Sequence, residues 1–447
     1  MISEGQATLA QRLTGIDQVE CITPDLNGIA RGKVMTADGF LEGRRLQLAS
    51  GVLLQCIMGG YPEARFYGAD DGDLALVPDT AQLHRLPWSD EPRALVICDA
   101  EQLSGGCSPL STRGLLKAVL ARYAAYGLAP VVATELEFYV FAPNPDPAQP
   151  FRTPRGLDGR QDDGGQAFSV SSHHGLRPFF SEVYRCMAAL GLPRDTVMHE
   201  MGIGQYEINL LHGDALLLAD QTLLFKHLLK EVALKHGLTV VCMAKPLARS
   251  AGSSMHIHQS VVHLTNGNNV FSDAQGQPTE TFHHFIGGQQ AAMADFTALF
   301  APNVNSYQRL CNPYASPNNA CWSLDNRAAG LRVPASSPAA RRVENRLPGA
   351  DANPYLAIAA SLAAGLHGIE QRLAPSPAVQ GEMVVPDHLS LPCTLHAALE
   401  RLKRSQLARE LFADEFIEGY IASKTLEMAS FFDEITPWER RVLAAHA

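Results

Sequence analysis

The sequence contains no Cys-x-x-Cys pair, no basic excess and no uninterrupted apolar run of membrane-spanning length. Its nine cysteines (Cys21, Cys56, Cys98, Cys107, Cys186, Cys242, Cys311, Cys321, Cys393) are odd in number and scattered. That argues against structural zinc and against a disulfide framework. A formal charge of −10 leaves no basic footprint for nucleic acid. The longest uncharged stretch, Ala352 to Ile369, is interrupted by Asn353, Pro354 and His367 and reads as a buried helix rather than a membrane span. The first residues carry Glu4 before any basic residue and no apolar core of a leader, so reduced thiols in a cytoplasm are expected. A phosphate loop is missing as well. Gly28-x-x-x-Gly32-Lys33 is one residue short, and Val34 stands where a Ser or Thr is needed.

What is present is globular material: 447 residues, 46% hydrophobic and 18% charged, long enough for two or three domains. The first hundred residues are rich in short strand signals (19–22, 32–35, 74–77, 94–98) after an amphipathic helix over 3–14. Composition changes near residue 107. Ser111 or Thr112 caps a helix that Gly127 ends, and Val131 to Phe141 is the strongest strand in the chain. A Pro/Gly/Asp-rich loop over 143–167 leads to a helix over 178–190, an extended run over 200–210 and a long helix over 214–236. That helix carries a Leu217, Leu224, Leu228, Val232 stripe and stops at Gly237. Strands return over 239–243 and 254–262, Asn353-Pro354 opens a helix, and the last sixty residues are mostly helical. Strands and helices do not alternate strictly, so the class is α+β.

Three features carry chemistry. Between Asn303 and Tyr355 there are six arginines (Arg309, Arg327, Arg332, Arg341, Arg342, Arg346) and no lysine, a bias that suits planar carboxylate and phosphate. Arg342, Glu344 and Arg346 alternate on one strand face, with a lone carboxylate between two guanidinium groups. Glu135 and Glu137 likewise share one face of an otherwise apolar strand, where burial is costly unless they are protonated or meet cations. His256 and His258 repeat that spacing, and Glu200 and Glu207 flank a Gly-containing bend. A solvated basic face, a wet edge strand and hydrogen-bonded structural histidines are the plain alternatives for each feature alone. Together, five glutamates and one or two imidazoles suit Mg²⁺ or Mn²⁺. Beside an arginine cluster they point to phosphoryl transfer.

Four ordered motifs resemble the glutamine synthetase family: Gly252-Ser-Ser-Met-His256-Ile-His258-Gln-Ser260, Asn303-Val-Asn-Ser-Tyr-Gln-Arg309, Asp325-Asn-Arg327-Ala-Ala-Gly-Leu-Arg332 and Glu344-Asn-Arg346-Leu-Pro-Gly-Ala-Asp-Ala-Asn-Pro-Tyr355. The Asp25 to Lys33 turn resembles the family's small N-terminal domain. The resemblance implies a β-grasp domain over 1–106 and a catalytic domain over 107–447, the latter an antiparallel half-barrel sheet flanked by helices. It implies an ATP-dependent ligase that phosphorylates the γ-carboxylate of L-glutamate and lets an amine displace the phosphate. By motif position, Glu137, Glu200 and Glu207 would hold one Mg²⁺ or Mn²⁺, and Glu135, His256 and Glu344 a second. Arg309 and Arg346 would serve glutamate with Gly252, Glu137 and His256. Glu207, His258, Ser260, Arg327, Arg332 and Arg342 would serve ATP, with Arg309, Arg327 and Arg346 acting in catalysis. A homo-oligomer of stacked hexameric rings, a dodecamer, is implied too, with no nucleic-acid or membrane partner.

The departures bear on the acceptor. The family's ammonia users carry a Glu where this chain has Ala315, and an Asp in a region corresponding to 41–68, which here contains none. Those carboxylates bind ammonium and take its proton. The run Gly51 to Gly60 is apolar instead, which suits an amine with a carbon tail. The chain is therefore similar to the γ-glutamyl-amine and γ-glutamyl-polyamine ligases, and a diamine would need a distal acid such as Glu63 or Asp70. Ala339 stands where a phosphate-handling Lys is usual, leaving Arg341 or Arg342 as substitutes. An ordinary glutamine synthetase and a catalytically inert relative are the competing expectations.

Overall fold

The computed structural model describes residues 4–68, 70–311, 316–381 and 383–446. Five strands build a first sheet: β1 (Gln18–Pro24), β2 (Ala30–Thr36), β3 (Leu46–Ala49), β4 (Asp73–Arg85) and β5 (Arg93–Gln102). Their order is β2-β1-β5-β4-β3, with β1 parallel to β5 and the other pairs antiparallel. Alternation along β1 and β5 divides their side chains between two cores. Val19, Cys21, Val96 and Cys98 face a small core closed by Leu13 and Phe40. Ile22, Leu95 and Ile97 face the main core of the molecule. One face of the small sheet is thus buried against the rest of the chain.

The helix Thr112–Ala125 joins the two parts, capped by Ser111, whose Oγ accepts from Gly114 N at 3.1 Å. Its Arg113 is fully buried and gathers Asp79 and Asp99 from the first sheet (2.7 and 2.6 Å) and Asp220 from the helix Ala215–Lys235 (2.8 Å). Tyr355 Oη donates to the same Asp220 at 2.6 Å. A buried charge survives only with such pairing, so Arg113 fixes how the two parts meet.

The second sheet contains β6 (Leu128–Phe141), β7 (Arg194–His199), β8 (Gln205–Leu210), β9 (Gly213–Asp214), β10 (Thr239–Val241), β11 (Met255–His263), β12 (Trp322–Leu324), β13 (Leu331–Val333) and β14 (Val343–Asn345). The path runs β12-β13-β14-β11-β6-β8-β7, with β9 and β10 also on β6. Every described pair is antiparallel except β12–β13. Ala352 to Ile369 forms most of a buried helix, Pro354–Gln371, that crosses Glu280–Met293 closely: a Cβ at Gly288 would lie 2.1 Å from Ala364 O. Among the described residues no helix is long and apolar enough to cross a membrane.

Two local expectations change. The run 200–210 becomes a strand only at Gln205, because Gly204 turns the chain at φ +69°. On the long helix Leu224, Leu228 and Val232 are buried as expected, but Leu217 is exposed and Leu218 takes the buried position.

Candidate active site

The site is assembled on one face of the second sheet by strand register. Glu135 and Glu137 rise from β6 two residues apart; His256 lies opposite Glu135 on β11, and Glu207 opposite Glu137 on β8. On the other side of β11, His258 lies opposite Glu344 of β14, which in turn faces Arg332 of β13. Directly opposed and diagonal pairs on one sheet face touch, so five strands deliver carboxylates, imidazoles and guanidinium groups to one place. Glu200 joins from the turn after β7.

Burial sets the electrostatics. It pushes Glu137 up to about 8, with Glu200 adding, and Glu207 up to about 9, with Glu137, Glu135 and Glu200 adding. Glu200 is raised for the same reason. Burial works on Glu135 too, but its hydrogen bond and attraction to His258, with Arg346 and Arg327, bring it below the usual carboxylate range. Burial and the facing arginines Arg346, Arg309 and Arg327 hold His256 neutral, well below ordinary imidazole. These carboxylates repel one another in a desolvated place, which calls for cations.

The ligand atoms of Glu135, His258 and Glu344 all lie within 4.8 Å of one another, whereas His256 Nε2 sits 3.6 Å from Glu137 Oε1. The diagonal lean along β11 thus brings His258, rather than the expected His256, beside Glu135 and Glu344. Hydrogen bonding separates the two rings chemically. His258 Nδ1 accepts from Arg342 Nε at 3.1 Å, so Nε2 carries the proton and donates to Glu135 Oε1 at 2.7 Å. That ring is occupied as a donor. His256 Nδ1 is buried without a hydrogen-bond partner among the described residues. A neutral imidazole with a free ring nitrogen, among five carboxylates, fits a hard divalent cation.

The arginines divide differently from the one-face expectation. Glu344 is fully buried between Arg346 and Arg332 (Nη1 to Oε2, 2.8 Å), not between Arg346 and Arg342, because register places Arg332 directly opposite. Arg332 also holds Asp325 at 2.6 Å. Arg342 turns to His258 and, with Ser260, Glu135 and Ala339, lines a cleft of about 580 Å³. Arg341 points elsewhere, to Ser272 Oγ at 2.6 Å and Gly276 O at 3.0 Å. Arg327 is exposed, with Glu135 and Glu200 in its field. Arg309 is buried, which lowers its guanidinium to about 10, and donates to the carbonyls of Arg346, Leu347 and Pro348.

Gly252 is needed where it stands: a Cβ there would lie 2.3 Å from Arg309 Cγ and 2.8 Å from Ala244 O. Gly252→Ala is expected to displace Arg309 and cost about 1–3 kcal/mol of stability by overpacking, measured by denaturant unfolding; an unchanged midpoint would contradict this contact.

Sequence reading missed the supports. Gln205 Nε2 donates to Glu137 Oε2 (3.2 Å) and Gly252 O (2.9 Å), and Ser254 N donates to Glu137 Oε2 at 2.8 Å. Gln205 shares a strand face with Glu207, a signal that was available. His199, next to Glu200, is held between Glu200 O (2.7 Å) and Asp162 Oδ2 (2.9 Å); a single Asp in a loop gave no signal. The run Gly51 to Gly60 divides between core and surface. Leu53, Leu54 and Cys56 are buried in the chain's own core, and Ile57 and Met58 are the exposed apolar residues. Glu427 Oε1 holds this turn by accepting from Ile57 N at 2.7 Å. Glu63 and Asp70 are exposed, and Glu63 pairs with Arg65 at 3.1 Å. Ala315 lies outside the described residues.

A mixed sheet that gathers buried carboxylates, imidazole and arginine beside a cleft of about 580 Å³ is suited to a divalent cation and an anionic substrate, as a ligase site would be. The chain belongs to the glutamine synthetase family: residues 109–443 match the family described as glutamine synthetase, catalytic domain. It is 35% identical over 440 residues to a glutamate–isopropylamine ligase of a Pseudomonas species, covering 95% of this chain and 94% of that one. A glutamine synthetase of Pyrococcus abyssi is 31% identical over 423 residues, covering 93% and 91%. The solved structure "Apo GmaS without ligand" superposes with a TM-score of 0.83 at 28% identity, covering 99% of both chains.

Proposed function

We propose that this ligase joins the γ-carboxylate of L-glutamate to an organic amine, using ATP and passing through γ-glutamyl phosphate. The observation that carries the reading is the sheet face itself, where the Glu135/Glu137 pair, Glu200, Glu207 and Glu344 stand beside arginines and a free imidazole nitrogen. The first step moves the γ-phosphoryl group of ATP onto a γ-carboxylate oxygen of glutamate with release of ADP; the amine nitrogen then attacks the γ-carbon, and phosphate and a proton leave.

Glu137, Glu200 and Glu207 would hold one Mg²⁺ or Mn²⁺, and Glu135 and Glu344 a second, with His256 as its imidazole ligand. Nδ1 of that ring has no hydrogen-bond partner among the described residues, whereas both nitrogens of His258 are hydrogen-bonded. Such cations, when bound, would neutralise charge on the transferring phosphoryl group. Arg309 and Arg346 serve glutamate, and neither Nε meets an acceptor among the described residues. Gly252 gives close backbone approach there. His258, Ser260, Glu207, Arg327, Arg332 and Arg342 serve the nucleotide in the 580 Å³ cleft, with Arg342 taking the place of the usual Lys at Ala339. Arg309, Arg327 and Arg346 would offset charge as it develops.

The same reading takes residues 1–106 as a β-grasp domain, residues 107–447 as the half-barrel catalytic domain, and the assembly as stacked hexameric rings in the cytoplasm. Absence of Asp over 41–68 and the similarity to an isopropylamine ligase favour an amine over ammonia. Phosphate release with ammonium and with a series of alkylamines tests this: an alkylamine should have the highest kcat/KM. Ammonium as the best acceptor would return the chain to ordinary glutamine synthesis, and no phosphate with any acceptor would make it inert.

A further inference from the structure

Resting on the amine-ligase reading, we infer that the acceptor is a monoamine with an uncharged carbon tail, received by the cleft beside Glu200 and Gly252. This cleft, of about 540 Å³, is lined by Met201, Ile203, Leu247, Ala248, Arg249 and Ala251, among others. It begins where the carboxylate cluster ends. Met201 follows Glu200 and donates its N–H to Glu200 Oε2 at 3.3 Å. Ala251 precedes Gly252, whose carbonyl accepts from the Gln205 amide that also holds Glu137. An amine nitrogen drawn to the glutamate end of the site therefore has its substituents directed along this wall.

Several polar atoms of the wall are engaged. Tyr139 Oη donates to Ala251 O at 2.6 Å and lies 2.9 Å from Ser250 Oγ, and Lys245 Nζ donates to Ser250 O. A Cβ at Gly202 would fall 2.1 Å from Tyr139 Oη, and one at Gly165 would fall 2.0 Å from Met201 O, so both sides of the cleft meet without room for side chains. Apart from Arg249, what remains facing the space is mostly aliphatic and thioether surface, which favours a carbon tail.

Among the described residues no carboxylate lines the cleft, and Arg249 is the one ionisable side chain there. The loop's Asp162 is engaged by His199 and Gly204 N. A second ammonium at the far end of a diamine would face a like-charged guanidinium, with no carboxylate among the described lining residues to receive it.

The test compares kcat/KM for isopropylamine, 1,4-diaminobutane and ammonium in the wild type, Arg249→Glu and Ala248→Glu. Both substituted positions are exposed, so folding is preserved. The wild type should favour isopropylamine over the diamine by about tenfold or more, and each acidic variant should raise the diamine-to-monoamine ratio by about tenfold. A diamine equal or superior in the wild type overturns the inference while leaving amine ligation intact. So does a ratio that neither variant moves. Ammonium as the best of the three overturns the underlying function.

Discussion

Glu344→Ala is expected to abolish turnover, lowering kcat by about 10³-fold or more. Glu344 is fully buried on β14 with one oxygen on Arg346 and the other on Arg332. Its removal leaves two guanidinium groups facing each other with no carboxylate between them, and breaking a buried pair costs about 3–5 kcal/mol. Part of the loss is therefore structural. Glu344→Gln separates the contributions: it keeps the volume and one acceptor oxygen but removes the charge. The Gln variant should stay folded by circular dichroism while phosphate release falls to background. Activity within about tenfold of the wild type in Glu344→Gln would show that the reacting phosphoryl group lies elsewhere.

Stripped of divalent cations, the protein should be inactive and should lose stability as pH rises from about 7 to 9. Glu137 and Glu207 bind their protons in the folded state up to about 8 and about 9, whereas the unfolded chain releases them near about 4.3. The folded state holds more protons across that interval, so stability is greatest at its acid end and falls as pH climbs through the folded values. His256, held neutral by burial, acts in the opposite sense only below its unfolded value of about 6.5. Cations that replace the protons reverse the trend, so the rise in Tm on adding Mg²⁺ or Mn²⁺ should be larger at pH 9 than at pH 7, about neutrality marking the lower arm. A Tm that is independent of pH and unmoved by either cation would contradict this account of the acidic cluster.

The parts of this site visible in the sequence are those fixed by local rules. Two-residue spacing placed Glu135 with Glu137 and His256 with His258 on shared faces, and β6 and β11 carry these pairs as expected. Helix ends were legible because Ser111, Asp214, Gly127 and Gly237 have one conformational use each: two accept amide protons at a cap and two adopt positive φ. The failures are of another kind. That Arg332 rather than Arg342 shares Glu344 depends on the register between β13 and β14, and that His258 reaches Glu135 depends on pairing across more than a hundred residues. Spacing within a strand says which residues share a face, but not which residue on the next strand stands opposite. The apolar run after Gly51 illustrates a related limit, since Leu53 and Leu54 could serve a pocket or a core equally well by composition. In the fold Leu54 meets Gly419 of the helix Asp414–Phe432, where a Cβ would lie 2.7 Å from the leucine. The acidic-to-apolar change over 41–68 was visible, and its destination was not.

The most direct measurement of the central claim is a competition. The wild-type protein is given L-glutamate, ATP, Mg²⁺ and equal concentrations of ammonium and isopropylamine, and the products are weighed by mass spectrometry against phosphate released. γ-Glutamyl isopropylamide as the main product, formed with one phosphate per molecule, is the predicted result; glutamine as the main product would contradict it.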